Sequence, residues 1–269
     1  MGRLRKLLAG RMTSGRGSAE GVPRYVHPDT VIGHEHRFVW YCIPKNASRS
    51  ILRALTDGGR GQRIALLGAA GRRARLLSQP RPAFAFAFVR DPFARIASAW
   101  MNKIESPPDT PAQARLFAMN AGLCAGMSLD DFVEWVRQDL RSVGRVDPHW
   151  RPQADFVTDA TGRLCVDFLG RLEALDDDFA AVESRIGPVE GMRHRNRSRI
   201  ENDPARLLSP RAAAIVREVY ARDFEVLGYA TQPLDAAARE RAEPMMVGTA
   251  EARDAPAGSA SLRRPGTAR

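Results

Sequence analysis

Two stretches of the chain are apolar without interruption. Phe38-Val39-Trp40-Tyr41-Cys42-Ile43 and Phe84 to Val89 are aromatic and β-branched, with no polar alternation. Unbroken runs of this length suit strands covered on both faces, as in a parallel sheet. Each run ends where a helix can begin. Pro44 cannot donate to a ladder, and Asn46 or Ser48 is placed to cap a helix through Leu55, which the Gly58-Gly59 pair stops. After Arg90, Asp91-Pro92 reads as N-cap and first helical position. Phe93, Ile96, Ala97, Trp100 and Ile104 then keep i, i+3, i+4 spacing, which predicts one buried stripe. Asp91, Arg95, Ser98 and Asn102 fall on the opposite, polar side.

Further along, Ser128 with Asp131 resembles a capping box ahead of a helix through Leu140. Cys165 to Gly170 is a third strand candidate. Asp176–Asp178 opens a helix to about Ile186, and Ser209-Pro210 opens another to about Arg222. Strands alternating with helices predict an α/β fold, three layers with a central parallel sheet between helices. The organisation expected is a basic, flexible N-terminal arm (1–30), one packed domain (31–230) and a disordered tail (231–269) that is rich in Ala, Arg, Pro and Gly. Ligands in such sheets bind at the C-terminal ends of strands, and both Pro44–Ser50 and Arg90–Ser98 lie there.

Charge sharpens the picture. The 269 residues carry 41 Lys and Arg against 31 Asp and Glu, a net of +10, which favours anionic partners. Arginine dominates, and its planar fork suits oxyanions, although a genomic bias towards Arg and Ala codons accounts for the excess equally well. Cys42, Cys124 and Cys165 form no CxxC pair and read as small buried side chains in a reducing compartment. No stretch reaches the ~18 apolar residues of a membrane span, and Leu7-Leu8-Ala9-Gly10 is too short for a secretory signal. The expected location is the cytoplasm, with contact of the basic arm at the inner membrane left open.

Two junctions carry chemistry. Pro44-Lys45-Asn46-Ala47-Ser48-Arg49-Ser50 is a strand–loop–helix turn with a lysine, hydroxyls and a helix N-terminus, a ready anion site. It lacks the paired glycines and Gly-Lys-Ser/Thr order of a Walker A loop. Taken alone it is matched by an ordinary turn with an exposed lysine. At the second junction, Arg90 ends a strand and Ser98 lies two turns into the next helix, an arrangement that alone is a well-made helix start.

Together the two resemble the cofactor loops of sulfotransferases that use 3′-phosphoadenosine 5′-phosphosulfate (PAPS). FVRDPFARIASAW, Asp147-Pro148-His149-Trp150-Arg151-Pro152-Gln153, Asp167-Phe168-Leu169-Gly170-Arg171-Leu172-Glu173 and Val219 to Tyr229 are similar, in that order, to segments of the Golgi-type carbohydrate sulfotransferase family. The chain looks like a bacterial relative, in a P-loop-NTPase-like fold. The first loop reads Asn-Ala-Ser-Arg-Ser where relatives often place a small residue and a threonine. Animal members also sit behind a membrane anchor that is not visible in this sequence.

The resemblance implies sulfuryl transfer to a carbohydrate or glycolipid hydroxyl, with no metal and no nucleic acid. Lys45 and its loop would hold the phosphosulfate, and Arg90 with Ser98 the 3′-phosphate. Arg195, Arg197 and Ser198, in an alternating basic segment, would close the nucleotide site or meet an anionic acceptor, although a solvated basic loop reads equally well. No Asp, Glu or His lies between Gly58 and Arg90, so the first choice for the base that takes the acceptor proton is His149. Asp147 and Glu105 are weaker candidates. Arg60, Arg63, Arg72, Arg73, Arg75 and Arg81 either line an acceptor cleft or form a solvated face. The competing readings are another P-loop-like nucleotide enzyme, such as a kinase, and a basic nucleic-acid-binding protein. The second lacks aromatic residues among its charges.

Overall fold

The computed structural model describes residues 21–64, 68–105, 107–142, 146–191, 207–232 and 245–246. Six strands form one sheet, ordered β3-β1-β2-β4-β5-β6. They are β1 (Val31–Gly33), β2 (Phe38–Trp40), β3 (Gly61–Arg63), β4 (Phe84–Val89), β5 (Phe168–Arg171) and β6 (Met245–Met246). The central three, β2, β4 and β5, run parallel, with Phe38 opposite Phe84 and Phe86 opposite Phe168. The outer strands β1, β3 and β6 are antiparallel to their neighbours. The parallel sheet expected from the apolar runs is thus the centre of a mixed one. Met245–Met246 lies in the stretch read as tail; the rest of that stretch beyond residue 232 is outside the described residues.

The nine helices described are α1 (Ser48–Asp57), α2 (Ala69–Leu77), α3 (Pro92–Trp100), α4 (Pro111–Met119), α5 (Leu129–Arg141), α6 (Ala154–Val157), α7 (Leu175–Ile186), α8 (Pro210–Val219) and α9 (Ala221–Leu227). Alternation of side chains across each strand sends two sets of residues to opposite faces. Phe38, Trp40, Cys42, Phe84, Phe86, Phe88 and Phe168 pack with Ile51 and Leu55 of α1 and Phe179 and Val182 of α7. Val39, Tyr41, Ile43, Ala85, Ala87, Val89 and Leu169 pack with α3, α5, α8 and α9, through Phe93, Ile96, Phe132, Val216 and Phe224. This is the three-layer arrangement. Between β4 and β5 the phenylalanine layer is so close that a Cβ on Gly170 would lie 2.4 Å from the Phe88 ring.

Several local expectations change. The third strand starts at Phe168, not Cys165, because Cys165 N–H donates to the Val157 carbonyl (2.7 Å) and Asp167 accepts the Ala85 N–H (2.7 Å). The helix expected to run on to Arg222 breaks at Tyr220, whose φ −111°, ψ 22° leaves the helical region; its hydroxyl donates instead to the Trp150 carbonyl (2.6 Å). Residues 21–30, read as the end of an arm, are packed. Val22 and Val26 are buried, and Arg24 N–H and Tyr25 N–H donate to the carbonyls of Thr158 and Asp155 (both 2.8 Å). Of the three cysteines only Cys42 is buried, and Cys124 is exposed. No helix among the described residues is long and apolar enough to cross a membrane.

Two caps form as predicted. Asp91 accepts the Ala94 N–H (2.8 Å), and Ser128 accepts the Asp131 N–H (3.1 Å). A third cap comes from far away. The fully buried carboxylate of Asp223, on α9, accepts the N–H groups of Gln153 and Ala154 (2.8 Å each) at the start of α6. Removing a buried partner leaves both donors unmet. Asp223→Ala is expected to lower the free energy of unfolding by about 2–4 kcal/mol, read from urea denaturation with the slope unchanged.

Candidate active site

At the C-terminal end of β2 the chain makes a tight loop before α1. Lys45 (φ 75°) and Ala47 (φ 55°) both lie in the left-handed region, which is uncommon for non-glycine residues and marks functional loops. Neither Asn46 nor Ser48 caps α1, contrary to expectation. Ala47 occupies the cap position and no side chain satisfies the first turn. Its positive dipole end and free N–H groups are left for something else. Ser48 instead lies near the Cys42 thiol, whose upward shift it opposes, and Arg49 is exposed.

Asn46 is only 1% exposed, because it is a tie between strands. Its side-chain amide donates to the Phe88 carbonyl at the end of β4 (2.8 Å) and to Gln153 Oε1 (2.8 Å). Gln153 Oε1 also accepts the Arg90 N–H (3.0 Å), and Gln153 Nε2 donates to the Arg90 carbonyl (2.7 Å). One buried amide thus fixes the exits of both strands. Arg95 does similar work. It was expected on a polar helix face, but it is 2% exposed. Its guanidinium donates to the carbonyls of Pro44 (3.2 Å), Arg151 (2.9 Å) and Pro148 (3.1 Å). Asp91 is likewise buried. Its N–H donates to Glu173 Oε1 (2.8 Å), whose Oε2 accepts the Tyr229 hydroxyl (3.0 Å).

These ties bring Lys45, Arg90 and His149 into one place. The Arg90 guanidinium donates to the Lys45 carbonyl (3.5 Å). Burial first, then Arg90, Lys103, Arg49 and Arg95, pull the Lys45 ammonium down to about 7. His149 Nδ1 lies 2.7 Å from Asp147 Oδ1. Burial holds His149 below the ordinary histidine range, Asp147 opposes that, and Lys103 and Lys45 add to it. The neutral ring therefore donates from Nδ1 to Asp147 and keeps a lone pair on Nε2.

Not every expected residue joins. Ser98 is half-buried on α3, and among the described residues no hydrogen bond links its side chain to Arg90. Arg195, Arg197 and Ser198 lie outside the described residues. The arginines of 60–81 do not line a cleft together: Arg72 and Arg73 donate to the Val26 and Pro23 carbonyls, Arg60 to that of Pro188, and Arg63 pairs with Asp29. Lys103, on a π-helical turn (Met101–Glu105) that continues α3, was missed; its signal is a basic residue beside the last apolar position of the stripe. Among the described residues, His27, Asp29 and Cys42 bring one ligand atom each within 4.8 Å of the others. Those groups are already engaged: Asp29 N–H donates to His27 Nδ1 (3.1 Å), Arg63 holds the Asp29 carboxylate, and burial raises the Cys42 thiol well up.

Comparison with known proteins gives two findings. The family model described as "Sulfotransferase family" matches residues 28–230. Carbohydrate sulfotransferase 12 of Mus musculus is 29% identical over 166 residues, 54% of this chain and 39% of that protein's length. No solved structure gives a significant match.

The buried tie through Gln153 can be tested directly. Gln153→Ala leaves the Asn46 amide with the Phe88 carbonyl alone and removes both Gln153 bonds to the Arg90 peptide. It is expected to cost about 2–3 kcal/mol, measured by urea denaturation, and a cost below about 0.5 kcal/mol would show that the two loops are held some other way.

Proposed function

We propose that this chain, which belongs to the sulfotransferase family, moves the sulfuryl group of 3′-phosphoadenosine 5′-phosphosulfate to a hydroxyl of a carbohydrate or glycolipid. The carbohydrate acceptor is suggested by the printed name of the mouse relative. The observation that carries the donor reading is the Lys45 ammonium. It is largely desolvated, ringed by Arg90, Lys103, Arg49 and Arg95, and stands beside an uncapped helix N-terminus. A pocket that concentrates positive charge and free N–H groups fits a phosphosulfate.

In this reading the chain works mainly by positioning and charge. The acceptor oxygen forms a bond to sulfur as the bond from sulfur to the 5′-phosphate oxygen breaks. Lys45 meets the negative charge that builds on that departing oxygen. The N–H groups of the 45–49 loop hold the non-reacting oxygens, and Arg90 holds the 3′-phosphate. His149 Nε2 takes the acceptor proton, with Asp147 fixing the ring's tautomer and orientation, as a carboxylate does for a catalytic histidine elsewhere. The products are a sulfate ester and adenosine 3′,5′-bisphosphate.

The pKa shifts give a sign. Free Lys45, at about 7, loses its proton as pH rises through 7, whereas a bound anion restores it. Anion binding above pH 7 therefore takes up a proton. Adenosine 3′,5′-bisphosphate affinity is expected to fall about tenfold per pH unit above 7, read by calorimetry, and Lys45→Arg should flatten the dependence. Lys45→Ala is expected to reduce transfer of radiolabelled sulfate from the donor to bacterial glycans by at least about 10²-fold, with the fold intact. Tighter binding of ATP or DNA than of the bisphosphate would favour the competing readings.

The base has its own signature. With His149 held below the usual range, kcat/KM for the acceptor at saturating donor, where the bound anion keeps Lys45 protonated, should rise with pH on an acidic limb below about 6.5 and then level. His149→Ala is expected to remove that limb and lower kcat about 10²–10⁴-fold. Asp147→Asn should lower kcat and shift the limb, while leaving bisphosphate affinity unchanged.

A further inference from the structure

A second concavity lies at the opposite end of the sheet. The parallel strands β2 and β4 enter near Phe38 and Phe84 and leave towards Lys45 and Arg90. On the face shared with α3, at the entry end, a cavity of about 380 Å³ is bounded by Val39, Ala85 and Asp167 on the strands and by the segments leading into them. Its volume falls in the range of small-molecule sites.

The lining is apolar on one side and carries unspent polar groups on the other. Val39, Leu76 and Leu164 supply the apolar wall. Tyr41 lines the cavity and is only 3% exposed, yet its hydroxyl makes no hydrogen bond among the described residues. The hydroxyl reaches the open space of the cavity with its donor uncommitted, so it is free to meet a group that enters. Burial together with Cys165 and Asp167 pushes the phenol up, so it remains a donor at any working pH. The guanidinium groups of Arg81 and Arg163, also in the lining, have no ion pair or hydrogen bond among the described residues. The carboxylates nearby are largely in use. Asp159 accepts from Gly21 N–H, Thr161 N–H, the Thr161 hydroxyl and Arg163 N–H, and one oxygen of Asp167 accepts from Ala85 N–H.

We propose that this cavity binds a small amphipathic carboxylate, at a site separate from the Lys45 pocket. The carboxylate meets Arg81 and Arg163 and accepts from the Tyr41 hydroxyl, while the apolar body lies on Val39, Leu76 and Leu164. The chain's own residues before Gly21 are the other occupant at hand. They carry Arg3, Arg5, Lys6, Arg11 and Arg16 against the single acid Glu20, so the two guanidinium groups repel them and favour an external anion.

Calorimetric titration of the full chain with octanoate, beside octan-1-ol and octylamine, tests this without any reference to sulfate transfer. Octanoate is expected to bind saturably and more tightly than the other two, and adenosine 3′,5′-bisphosphate should not displace it. Arg81→Ala/Arg163→Ala is expected to lose at least about tenfold in octanoate affinity, since charge-assisted hydrogen bonds are among the strong ones. Both arginines are exposed, so the variant keeps its fold, which a thermal melt checks. Tyr41→Phe should weaken octanoate about three- to tenfold. Equal binding of octanoate and octanol, unchanged affinity in the double variant, displacement by the bisphosphate, or no saturable binding of octanoate would each overturn the proposal.

Discussion

The architecture of the site rests on one buried side-chain amide. Gln153 joins Asn46 after β2 to the Arg90 peptide after β4, and its own backbone is anchored by Asp223. Parallel strands do not by themselves fix where their exit loops point, because the ladder hydrogen bonds stop where the strands end. A glutamine can donate and accept at once, so a single residue can hold two loops in register. In a water-free position neither bond can be exchanged for solvent, which makes the geometry steep rather than soft.

That rigidity matters because of what it holds. Lys45, Arg90, Arg95, Lys103 and Arg49 repel one another, and that repulsion adds to burial in pulling Lys45 down. Left to relax, such side chains would separate into water. Arg95 cannot, since three loop carbonyls grip its guanidinium, and Lys45 sits on a left-handed backbone whose carbonyl accepts from Arg90. The depressed Lys45 ammonium lowers folding stability below its unfolded pKa, and that loss recedes as pH rises towards 10.5. An incoming polyanion relieves the same repulsion, so binding and local stability are coupled.

Much of the scaffold was legible in the residues because its signals are local. Phe84 to Val89 announced a doubly covered strand, and Asp91-Pro92 and Ser128 with Asp131 announced helix starts whose caps lie three residues away. Lys45, Arg90 and His149 could be picked out as chemistry-bearing, and the structure gathers them. What escaped was long-range. Asn46 looked like a cap, but its partner Gln153 is 107 positions distant. Arg95 looked solvated because helical spacing counts faces, and it cannot see the loops that fold over one of them. Tyr220 interrupts a helix for the sake of the Trp150 carbonyl, 70 residues earlier. The dispersal of Arg60, Arg63, Arg72 and Arg73 has the same origin, since each finds a backbone oxygen or acid on a different segment.

The Glu173 carboxylate clasps the Asp91 peptide with one oxygen and the Tyr229 hydroxyl with the other. Tyr229 lies one residue before the end of the family match, so the second loop acquires its last fastening from nearly the final part of the domain to leave the ribosome. Synthesis is slow compared with the closing of such contacts. A nascent chain therefore carries the second loop without the Glu173–Tyr229 bond for most of its emergence. Truncation products ending before Tyr229 would lack that fastening of the second loop.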